Sequence, residues 1–69
     1  MNADLLARVG AALYGPQWQS ALARDLGVSD RTMRRWATGE GAPERIQSNL
    51  LALVDERGKT LAGLAKTLA

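Results

Sequence analysis

Four arginines, Arg24, Arg31, Arg34 and Arg35, fall within residues 24–35, where only Asp25 and Asp30 oppose them. Everywhere else the charges cancel. Asp4 offsets Arg8 in residues 1–23, and Glu40, Glu44, Asp55 and Glu56 offset Arg45, Arg57, Lys59 and Lys66 in residues 36–69. The formal charge of +2 therefore sits entirely in one short segment. A guanidinium is planar, permanently charged and carries its donors in a fixed fork, which suits phosphate oxygens and the O6/N7 edge of guanine. Such a basic segment on an otherwise neutral chain points to a polyanion.

The residues that are missing narrow the chemistry further. The chain has no cysteine and no histidine, which removes disulfides, makes a zinc site improbable and leaves few nucleophile or general-base arrangements. Carboxylates remain, yet 69 residues can hardly enclose a pocket that shields them from water. The expectation is a protein that is not an enzyme, with no cofactor, no metal and no visible small-molecule effector. No apolar run is long enough for a transmembrane helix or a secretory signal. These points predict a single-domain binding module working in the cytoplasm, without a membrane.

The elements that must carry the arginines are helical. Twelve Ala and eleven Leu against three Val and one Ile predict an all-α fold. A first helix is expected over about residues 3–14, with Asn2 as N-cap, Leu5, Leu6, Val9, Ala12 and Leu13 on one face, and Gly15-Pro16 as its stop. Trp18, Leu22 and Leu26 recur at i, i+4 and i+8, so a second helix is expected over 16–26, with Pro16 at its first position and Gly27 closing it. Ser29 is placed to cap a third helix over 30–38, with Asp30 at its positive end. After the Gly39–Ala42 loop, Ile46, Leu50, Leu53, Leu61, Leu64 and Leu68 keep one phase. That phase favours one long helix over 43–68; the competing reading stops at Gly58 and restarts with Thr60 as a cap.

A helix, a turn pivoting on Gly27 and a short second helix with a basic outer face make a helix-turn-helix layout. Gln19-Ser20-Ala21-Leu22-Ala23, Leu26-Gly27-Val28-Ser29, Arg31-Thr32-Met33, and Trp36 with Gly39 and Pro43 follow that layout. Over about residues 17–46 the chain resembles the lambda-repressor/Cro-type helix-turn-helix family, the xenobiotic-response-element class. The resemblance implies a double-stranded-DNA-binding transcriptional regulator, most often a repressor, acting as a homodimer on an inverted-repeat operator. Trp18 stands where the family often has a capping Ser, Thr or Asn, and Glu40 occupies a loop that is basic in some relatives, so little minor-groove reading is expected there. A protein-interaction module that keeps the fold without reading DNA is the alternative.

Within the third helix, Arg31 and Arg35 point almost opposite to the inward Met33. They are the expected base readers, with Ser29 and Asp30 at the helix N-terminus, the end such motifs push deepest into the major groove. Asp30 could accept from cytosine N4 or brace Arg34 one turn on. Arg34 and Thr38 lie on the flank and, with Gln17 and Gln19 at the start of the second helix, are the expected phosphate contacts. Trp18 and Trp36 are expected in the core rather than on DNA, since a chain without Phe needs their bulk. Leu61, Leu64 and Leu68, with Leu53, Val54 and Ala65, form the expected dimer surface, because a long last helix overshoots so small a body.

Overall fold

The computed structural model describes all residues, Met1–Ala69, as four α-helices with no strand: α1 (Ala3–Tyr14), α2 (Trp18–Leu26), α3 (Asp30–Arg35) and α4 (Glu44–Leu68). The Asn2 side chain accepts from the Leu5 N–H at 2.7 Å and so caps α1, while Gly15 ends it. Helix α2 begins at Trp18, two residues later than Pro16 predicts, because residues 15–17 form a turn that swings the indole under α1. Trp18 packs directly on Gly10, where any Cβ would overlap its ring. Gly10 is therefore a steric requirement of the α1–α2 contact, and its place in mid-helix, costly by roughly 1 kcal/mol against Ala, has a reason.

The turn between α2 and α3 takes the expected form. Gly27 lies in the left-handed region (φ 73°, ψ 30°), and the Val28 N–H reaches back to the Ala23 carbonyl at 3.0 Å. Ser29 then caps α3, accepting from the Thr32 N–H at 3.1 Å. Regular α-helix stops at Arg35 rather than at residue 38. Residues Trp36–Glu40 widen into a π-turn closed by the Gly41 N–H on the Trp36 carbonyl at 2.9 Å. Gly39, at φ 142°, turns the chain out of the helix path there. The chain then returns to its beginning, where the Ala42 N–H bonds the Met1 carbonyl at 3.0 Å.

Leu6, Trp18, Leu22, Ala23, Met33, Trp36, Ala42, Ile46 and Leu50 make one buried core. Both tryptophans are part of it, as their bulk predicts. Leu5 and Ala12, expected on the buried face of α1, stay at least partly in solvent, because that face turns away from α2 toward an open groove beside α4. Helix α4 runs unbroken across Gly58, so the one-helix reading holds. Its first half is held by Ile46 and Leu50 in the core, with Leu53 packed against it. Leu53 is thus partly buried within the chain, while Val54, Leu61, Leu64, Ala65 and Leu68 of the expected dimer surface are exposed. At Arg57 the body ends: the guanidinium donates to the Leu13 carbonyl and lies 5.4 Å from the Tyr14 ring centroid. Beyond it every residue is exposed, and the molecule stretches to 42 × 22 × 20 Å.

Candidate nucleic-acid interface

The basic face is built from the inside out. Met33 is fully buried between α2 and the core, and Trp36 is 2% exposed, so the rotation of α3 is fixed by two large side chains three residues apart. That rotation turns Arg31, Arg34 and Arg35 outward, all exposed. Together with Thr38 they line a single shallow depression with no apolar residue in its wall. Four of the predicted contact residues thus share one surface.

Their partners differ. Arg31 and Arg34 enter no ion pair. Arg35 donates from Nε to Glu40 Oε2 at 3.0 Å, across the π-turn that carries Glu40 back toward α3. Both side chains remain more than half exposed, so the pair is worth no more than about 1 kcal/mol. Bonding through Nε leaves the two terminal amines of Arg35 free, and these are the donors a guanine edge or a phosphate would meet. Sequence reasoning missed Glu40 as a partner of Arg35; an acid five residues on, beyond a Gly, was the available signal.

At the N-terminus of α3 the side chains are engaged with their own neighbours. The Ser29 hydroxyl accepts from the Thr32 N–H and donates to Thr32 Oγ1 at 2.9 Å, so it serves the cap first. Asp30 does not brace Arg34. It accepts from Ser20 Oγ at 3.3 Å instead, which ties the starts of α2 and α3 together. Thr38 donates to the Arg35 carbonyl at 3.1 Å, within the turn that ends α3. Gln17 takes the N-cap position of α2 with no side-chain bond to the helix, and Gln19 is in the first turn; both are exposed. Free backbone N–H groups at that end add partial positive charge beside them.

A second polar cluster lies where α1, α2 and α4 meet. The Tyr14 hydroxyl donates to Asp25, and Arg57 covers the Tyr14 ring. Burial, then the hydrogen bond to Asp25, pushes the phenol up from its ordinary 10.0 to about 12. The cluster latches the distal ends of α1 and α2 to α4.

No group of acidic, His or Cys side chains that could hold a metal occurs in the structure. No helix is long and apolar enough to cross a membrane. No family model, no curated protein and no solved structure matches the chain.

Proposed function

We propose that the protein is a sequence-specific double-stranded-DNA-binding transcriptional regulator of the cytoplasm, acting as a repressor and as a homodimer on an inverted-repeat operator. The observation that carries the reading is the exposed surface of Arg31, Arg34, Arg35 and Thr38 on a short helix, with two of the three arginines free of any acid. The α2–Gly27–α3 turn, closed as a helix-turn-helix requires, supports it.

In this reading α3 enters the major groove. Arg31 and Arg35 meet base edges, while Arg34, Thr38, Gln17 and Gln19 hold phosphates. Asp30 and Ser29 act chiefly by holding α3 in place. Phosphate neutralisation supplies most of the affinity and makes it salt-dependent. A short recognition helix reads only a few base pairs, so a second copy on the adjoining half-site, about 34–36 Å away, is needed to specify a site.

Selection of bound duplexes from a random pool tests the proposal. The expected product is a palindromic sequence with guanines at matching positions in each half. If no duplex is retained at low salt, the chain is better read as a protein-interaction module on the same fold.

A further inference from the structure

We propose that α4 pairs with α4 of a second copy in antiparallel register, along a seam formed by Leu51, Val54, Gly58, Leu61, Ala65 and Leu68. This rests on the dimeric part of the reading above and not on DNA binding. The stripe that α4 gives to its own core, Ile46, Leu50 and Leu53, ends at Arg57. A second stripe starts beside it and stays bare: Leu51 is 68% exposed, Val54 43%, Leu61 57% and Leu68 87%. Its spacings of three and four residues alternate strictly from 51 to 68, the repeat of a two-helix seam about 27 Å long.

The occupant follows from register and charge. In an antiparallel pair centred between Lys59 and Thr60, Gly58 faces Leu61 of the second copy, Val54 faces its Ala65, and Leu51 faces its Leu68. Each seam residue has a partner, and the two inner layers each set a small side chain against a large one, as interdigitating packing requires. In-register parallel pairing would instead stack Gly58 on Gly58 and Ala65 on Ala65, leaving voids. Charge selects the same orientation. After Glu56 the helix carries only Arg57, Lys59 and Lys66. Antiparallel pairing sets Lys66 of one copy two residues along from the position facing Asp55 of the other, twice by symmetry, whereas parallel pairing sets each beside its like.

The body provides a seat for the same helix. A groove of about 650 Å³ runs between α1 and α4, with Leu5 and Val9 on one wall and Val54, Gly58 and Leu61 on the other. The distal end of the second copy's α4 would lie along it, and Leu5, 40% exposed alone, would be covered. A Cβ on Gly58 meets nothing within 4 Å in its own chain, so the glycine there has no intrachain steric cause.

Sedimentation without DNA, joined to cysteine cross-linking, tests this, because the chain has no cysteine of its own. At micromolar concentration the wild type should run at twice its 7.4 kDa mass. Gly58→Leu should stay helical by circular dichroism yet dissociate at least ten-fold more readily. A mixture of Val54→Cys and Ala65→Cys chains should oxidise to a cross-linked dimer, whereas Ala65→Cys alone should not. A wild-type monomer, whether free or captured by anionic vesicles, overturns the proposal, as does Ala65→Cys cross-linking to itself as fast as the mixture. Loss of DNA binding by an intact dimer would overturn only the DNA reading.

Discussion

Glu40 holds Arg35 by its Nε at 3.0 Å and leaves the two terminal amines of that arginine without a partner. On the proposed DNA the acid would have opposed effects. It would repel phosphates, yet fix the fork of the side chain proposed to read a base.

Glu40→Ala should therefore bind random duplexes about two- to five-fold more tightly while losing a similar factor in preference at the base pair read by Arg35, as expected from an exposed pair worth no more than about 1 kcal/mol. Anisotropy titrations on selected and scrambled duplexes check both numbers. Unchanged discrimination would show that Glu40 does not position Arg35.

Gly10 and Gly63 should respond oppositely to the same substitution. Gly10→Ala drives a methyl into the Trp18 ring, and overpacking of this kind costs about 1–3 kcal/mol. Gly63→Ala meets nothing within 4 Å and should gain roughly 0.5–1 kcal/mol from helix propensity. Urea unfolding of the two variants beside the wild type reads the difference directly.

Burial of the Tyr14 phenol, with its hydrogen bond to Asp25, makes stability depend on pH in the alkaline range. With the folded pKa raised from 10.0 to about 12, the protonated phenol is favoured by the native state. Its contribution is fully present below pH 10 and is lost as pH rises through 12. Thermal melts of the wild type should fall more steeply over that window than those of Tyr14→Phe, which has no proton to lose. Parallel curves would remove Tyr14 from the latch.

The helices and their inward faces were legible because local rules and packing agree in them. Asn2 and Ser29 cap as their side chains dictate, Gly27 closes α2, and Met33 and Trp36 face the core that a chain without Phe must fill. Errors came where distant packing overrode a local signal. Pro16 suits a helix start, but seating Trp18 on Gly10 moves the start of α2 to residue 18. Helical spacing carried α3 to residue 38, while Gly39 and the return to Met1 widen its end into a π-turn. On α4, helical spacing puts Ile46, Leu50, Leu53, Leu61, Leu64 and Leu68 on one stripe, of which only the first three meet the core. Only tertiary contacts separate Ile46, Leu50 and Leu53 from Leu51, Val54 and Leu61. The arginine cluster was legible from charge alone, but the Arg35–Glu40 and Ser20–Asp30 bonds were not, since both cross turns.

Base reading by Arg31 and Arg35, as distinct from attraction of a basic surface to DNA, is tested most directly by titrating Arg35→Ala and Arg34→Ala against the selected operator and a scrambled duplex over a range of salt. Arg35→Ala should lose about 1–3 kcal/mol on the operator and far less on the scrambled duplex, with relaxed preference at one base pair per half-site. Arg34→Ala should weaken both duplexes alike and reduce the salt slope by about one for each copy bound. Equal losses on operator and scrambled DNA for Arg35→Ala would contradict base reading by α3.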